Sequence, residues 1–196
     1  MVRDSLRSII EGVAVEAKDA DIVVATAELE ESLMKLGGSL SRTPLGGFRW
    51  MPEGARVPVD IWQLADTVWI RDLGLTPSIA NFLAGVDLNI DRIAVGLHDH
   101  AIHDQGALAG IQTRLIKLDA EIRLDTLRYD ELARAILASC QTGYAPAPEI
   151  IRLIEGATPA GIARGATRLR AEGCPEPTVA AVLSFAAKAR SIVAAA

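Results

Sequence analysis

The chain is poor in the features that usually announce a compartment or a chemistry. It has two cysteines, Cys140 and Cys174, too far apart in sequence to form a CxxC ligand pair. They read as two reduced thiols, and a chain of this length buries roughly 70% of its unfolded surface without needing a disulfide. No apolar run approaches the roughly 18 residues that cross a bilayer. The opening MVRDSLRSII interrupts its apolar residues with charge, unlike a secretory leader. These absences point to a cytoplasmic protein with no membrane partner. A basic excess is also missing. Twenty Lys and Arg stand against 25 Asp and Glu, a net charge of −5, which argues against a nucleic-acid partner.

Motifs that specify a reaction are equally scarce. There is no GxSxG elbow, no phosphate-binding glycine loop after a strand, no HExxH and no Glu-x-x-His pair, and neither cysteine is close to a histidine in sequence. Nucleophilic catalysis therefore finds no support, and the balance leans away from an enzyme.

What the chain does have is hydrophobic residues, 50% of the total, set at helical spacing. Leu6, Ile10, Val13, Ala17, Ala20, Val24, Ala27 and Met34 alternate by fours and threes, with Glu31 as the exception in the stripe. They predict a long first helix ended by Gly37-Gly38, with Asp19-Ala20-Asp21 as a break point. From Leu88 to Ile122 the pattern is stricter still, through Ile90, Ala94, Leu97, Ala101, Asp104, Leu108, Ile111, Leu115, Leu118 and Ile122. A straight helix of that span would be about 52 Å long, against a radius of gyration of about 16 Å for a compact chain of this size. It must bend, near Gly106 and Gly110, or pack against another chain. Shorter helices are expected over Ile61–Leu73 (capped by Asp60), after Thr76-Pro77, and over Tyr129–Cys140 and Pro148–Glu155. Two more run from Thr158-Pro159 to Gly173 and over Thr178–Ala195.

The expected fold class is all-α: a helical bundle with two long helices, several shorter ones and one irregular arm or small hairpin at 37–60. It would form a single helical domain over 1–196, with 147–196 as a candidate C-terminal subdomain. The arm holds five glycines and three prolines. Within it Phe48–Met51 and Arg56–Val59 flank a Pro52–Ala55 turn, with Pro58 keeping the second arm at an edge. Phe48, Trp50, Trp62 and Trp69 are four of the chain's eight aromatics, and Arg42, Arg49 and Arg56 recur every seven residues. Arginine beside tryptophan is typical of interface anchors. Phe48, Arg49 and Trp50 are therefore candidate partner-binding residues, joined by Leu108 and Leu115 on the long stripe.

All three histidines fall between Leu97 and Asp104. On a helix Asp99 shares a face with His103, and His100 with Asp104, while His98 points elsewhere. His100, His103, Asp104 and Asp99 thus form the candidate ligand set for a divalent metal ion. Asp104 is the single polar position of the stripe, where a buried carboxylate would need a partner. The competing reading is a polar pair that sets helix register, or a helix end open to water. Function is expected to be non-enzymatic: a helical interaction or assembly protein, a homo-oligomer and most simply a dimer, associating through the long helix. The alternative is a metal- or small-ligand-binding helical protein, with an enzyme among the options, using the His98–Asp104 cluster.

Overall fold

The computed structural model describes residues 9–12, 20–43, 46–118, 129–171 and 174–193. The chain divides into two compact units, one of residues 1–86 with 91–108, the other of 87–90 with 109–196.

The first unit is built on a four-stranded mixed sheet. Its strands are β1 (Ala20–Val24), β2 (Ser39–Arg42), β3 (Phe48–Met51) and β4 (Val59–Gln63), in the order β1-β4-β3-β2. β1 runs parallel to β4, and the other neighbours are antiparallel. Helix α1 (Leu29–Leu36) connects β1 to β2 and lies against one face of the sheet. Ile22-Val23-Val24 explains why β1 is a strand, since β-branched side chains are stiff at χ1 and pack well on a pleated surface. Strand alternation then sorts the residues. Ile22, Val24, Leu40, Phe48, Trp50, Val59 and Ile61 gather with Leu29 and Leu33 of α1 in one apolar cluster. Their sequence neighbours Asp21, Ser41, Arg49 and Asp60 point to the other face.

Beyond β4 come a 3-10 turn at Leu64–Asp66, then α2 (Val68–Asp72) and α3 (Ile79–Ala84). The hydroxyl of Ser78 caps α3 by accepting from the Asn81 N–H at 3.1 Å. A two-stranded hairpin follows, β5 (Ile93–Val95) against β6 (Ile102–Asp104).

The second unit is helical. It contains α5 (Tyr129–Thr142), α6 (Pro148–Gly156), α7 (Pro159–Ala171) and α8 (Glu176–Val193). Helix α4 (Ala107–Thr113) precedes them, and β7 (Leu115–Ile116) pairs in parallel with β8 (Ala145–Pro146). Ile136, Ile150, Ile154, Ala166 and Val179 are fully buried in its core, at the spacing their helices require. Asn89 joins the two ends of this unit. Its side chain donates to the Leu115 carbonyl at 3.0 Å and accepts from the Lys117 N–H at 2.7 Å. Among the described residues no helix is long and apolar enough to cross a membrane.

The all-α expectation is overturned, and both long helices are replaced. In the first, residues 20–24 form a strand, and among the described residues helix is confined to Ile9-Ile10 and to Leu29–Leu36; Leu6, Val13 and Ala17 lie outside them. In the second, the stripe from Ile90 to Leu118 passes through a 3-10 turn, β5, β6, α4 and β7, and Ile122 lies outside the described residues. A 4-3 pattern was met by chance across short elements. Gly106 (φ 97°), His100 (φ 55°) and Arg114 (φ 53°) adopt left-handed backbone that no α-helix contains. The expected hairpin is displaced as well. The partner of Phe48–Met51 is Val59–Gln63, an interior strand, so Asp60 lies within β4 and caps no helix.

Candidate functional site

The register of the sheet draws one row of polar side chains across a single face. Asp21 on β1 is the parallel partner of Asp60 on β4, Asp60 is opposite Arg49 on β3, and Arg49 is opposite Ser41 on β2. Adjacent strands are about 4.8 Å apart, so the two carboxylates begin from neighbouring Cα positions. Like charges so close repel, and Arg49 answers this directly. Its Nε donates to Asp60 Oδ1 at 2.7 Å and its Nη2 to Oδ2 at 2.5 Å, engaging both carboxylate oxygens. Asp60 is one of few buried polar residues among those described, at 7% exposure. Trp62, two residues on, shares this face. Gly47 beside it must be glycine, because an added Cβ would run into the indole ring.

The opposite face carries the other residues of the expected arm. Phe48 is buried and Trp50 half-buried in the cluster under α1, and Trp50 Nε1 donates to the Gly37 carbonyl at 2.7 Å. This places both inside the sheet's core rather than on an open arm. Arg42 pairs with Glu30 and lies over the Phe48 ring at 4.7 Å. Of the remaining partner-binding candidates, Leu108 is exposed on α4 and Leu115 is half-buried on β7. They share no helix, so the stripe on which a dimer was expected does not exist.

The histidine segment is a surface hairpin. His98, Asp99 and His100 occupy the loop between β5 and β6, and His103 and Asp104 lie on β6, all exposed. Asp99 Oδ1 accepts from the Ala101 N–H at 3.1 Å, a local turn that competes with helix formation. Asp104 is not a buried charge. It accepts from the Leu108 N–H at 3.1 Å at the start of α4. Among the described residues no three His, Cys, Asp or Glu side chains converge as a metal site would need. The helical face that was to unite His100 with Asp104 is absent. Cys140 is surface-exposed, and partial desolvation pushes its thiol up, which disfavours the reactive thiolate.

Sequence reasoning took Asp21 as part of a helix break and assigned Asp60 to a helix cap. A run of β-branched residues after Asp21, and the alternation Val59-Asp60-Ile61, were the available signals.

With this geometry established, solved structures supply a direct comparison. The chain has the fold of tRNA nucleotidyltransferases. A tRNA-processing enzyme solved with CTP superposes with a TM-score of 0.67 at 16% identity, covering 97% of this chain and 52% of that one. A tRNA nucleotidyltransferase in complex with a primer tRNA and an incoming ATP analogue gives 0.67 at 17% identity, covering 97% and 57%. The Thermotoga maritima CCA-adding enzyme complexed with tRNA gives 0.59 at 16% identity, covering 84% and 41%. The chain spans about half the length of the first of these structures. No protein-family model matches the chain, and no curated protein matches its sequence.

At such identity the likeness is one of fold. It nevertheless overturns three expectations. A non-enzymatic assembly protein gives way to the fold of an enzyme, the lean away from catalysis goes with it, and nucleic acid can no longer be excluded, since neighbours of this fold were solved with tRNA. The alternative, a metal- or small-ligand-binding protein with an enzyme among the options, fits this fold better.

Proposed function

We propose that this chain carries the nucleotide-handling part of a tRNA-acting nucleotidyltransferase, with the Asp21–Asp60–Arg49 row as its polar site. A cytoplasmic setting suits that role. The observation that carries the reading is the coincidence of two facts. The fold matches, over 97% of the chain, enzymes solved with CTP and with tRNA, and the face of its sheet opposite α1 bears two in-register carboxylates and an arginine.

Nucleotidyl transfer joins an RNA hydroxyl oxygen to the α-phosphorus of a nucleoside triphosphate and releases pyrophosphate. Its barrier is lowered mainly by positioning and by electrostatic stabilisation. Asp21 is the residue assigned to the hydroxyl side, as acceptor of the proton that leaves as the new bond forms. A divalent ion is the usual aid in such chemistry. Asp21 and Asp60 are the carboxylates that would face one among the described residues, and both oxygens of Asp60 also accept from Arg49. Asp19, which precedes Asp21 by two residues, lies outside the described residues.

The test is incorporation of labelled CTP or ATP into tRNA that lacks its 3′-terminal nucleotides. The wild-type chain is expected to extend the RNA, and Asp21→Ala to lower the rate at least 100-fold, with the melting temperature retained. Wild-type incorporation that Asp21→Ala leaves intact would remove the assignment.

A further inference from the structure

Asp60 and Arg49 are an unequal pair. The aspartate side chain keeps 10% of its surface and the arginine side chain 51%. A carboxylate buried in this way adds little stability over an apolar pair of similar shape. What it supplies is orientation. The planar guanidinium is gripped along one edge, at 2.7 and 2.5 Å, which leaves its plane a single setting on the sheet. The other arginines of the seven-residue series are placed differently. Arg42 is drawn to Glu30 and Phe48 on the face that α1 covers, and Arg56 is exposed in the turn between β3 and β4. Of the three, Arg49 alone shares the face and the row of Asp21.

Resting on the nucleotide reading above, we propose that Asp60 is a positioning residue that aims Arg49 at the phosphates of a nucleoside triphosphate, and is not itself a cation ligand. A guanidinium fixed in this way presents a planar, permanently charged surface to an anion and loses little freedom on binding it. Arg49, the basic member of the described row, is then its phosphate contact.

The experiment compares calorimetric binding of CTP and of cytidine, each with and without magnesium chloride, to the full chain. The variants are Arg49→Lys, Asp60→Asn, and the double Arg49→Gln with Asp60→Asn, which leaves no buried charge without a partner. Circular dichroism melting confirms that each is folded, and Arg56→Gln is the control. The wild type is expected to bind CTP at least tenfold more tightly than cytidine. The double variant is expected to lose that preference while keeping its affinity for cytidine, and Arg49→Lys to lose part of it. A purely structural role would weaken both ligands together. Asp60→Asn is expected to weaken CTP several-fold and to keep whatever magnesium response the wild type shows. A double variant that retains the CTP preference would overturn the proposal and leave the nucleotide reading standing. So would an Asp60→Asn protein that loses its magnesium response while keeping that preference, because Asp60 would then be a ligand. If the wild type binds neither CTP nor ATP, the nucleotide reading itself falls.

Discussion

Among the described residues, the helical unit closes around twenty buried ones, from Leu88 to Ala186, whereas the sheet's apolar cluster has four, Leu29, Leu33, Phe48 and Ile61, with five half-buried neighbours. In the helical unit several helices turn their stripes toward one centre, so a side chain such as Ile136 is wholly enclosed. Among the described residues of the sheet unit, an eight-residue helix packs on one face, and the other bears Asp21, Asp60, Arg49 and Trp62. The lesson is a difference in what each unit encloses: stripes from several helices bury apolar side chains on all sides, while strand alternation sends polar side chains to one face of the sheet. The charges divide in the same way. Residues of the sheet unit hold nine basic against fifteen acidic side chains, and those of the helical unit eleven against ten.

Substitutions can break this comparison in order of size. Ile136→Ala in the helical core is expected to cost about 3–4 kcal/mol, because a fully enclosed cavity cannot collapse. Denaturant unfolding followed by circular dichroism would show it as a shifted helical transition, and a loss below about 1 kcal/mol would contradict the enclosed core. Leu33→Ala under the sheet is expected to cost about 2 kcal/mol, at the low end for such a change, since half-buried neighbours can relax into the gap. Tryptophan fluorescence, reporting Trp50 beside that helix, would follow it. An equal or larger cost than for Ile136 would erase the contrast between the units.

The smallest effect is electrostatic and lies in the helical unit. Arg170 donates to Glu176 from Nε at 2.8 Å and from Nη2 at 2.6 Å, across the connection between α7 and α8. That hydrogen bonding holds the Glu176 carboxyl below the ordinary glutamate range. A carboxyl depressed in the folded state stabilises fully above its unfolded value, and the contribution is lost as pH falls through the folded one. The wild type should therefore lose slightly more stability than Glu176→Gln between neutral pH and about pH 3, with the gap opening below the ordinary glutamate value of about 4.3. Parallel acid titrations that superpose for the two proteins would show that the exposed pair contributes nothing.

Legibility followed the range of the interactions. Pro148 and Pro159 open α6 and α7, and helices α5 to α8 could be placed because their start and stop signals lie within or beside their own residues. The same reasoning misread the segment from Leu88 to Leu118. Spacing of four and three is shared by a helix and by a chance succession of turns and short strands, and nothing local separates Ala94 in β5 from Ala94 in a helix. The turn made by Asp99, and Gly106 with its left-handed backbone, were the available warnings. The site was missed for a related reason. Asp21, Arg49 and Asp60 are far apart in sequence, and only strand register makes them neighbours. The charge argument against nucleic acid weighs little, because −5 is the sum of two dissimilar units and solved structures of this fold hold tRNA.

By itself, then, the sequence determined that four helices occupy the C-terminal region and where α5, α6 and α7 begin, and that no described helix is apolar enough for a bilayer, because both depend on residues within a few positions of one another. The tertiary structure alone decided that residues 20–63 form a mixed sheet, that Phe48 and Trp50 turn inward, and that two distant aspartates and an arginine meet on its other face. Strand pairing is a contract between distant segments, and a single strand does not carry the identity of its partner.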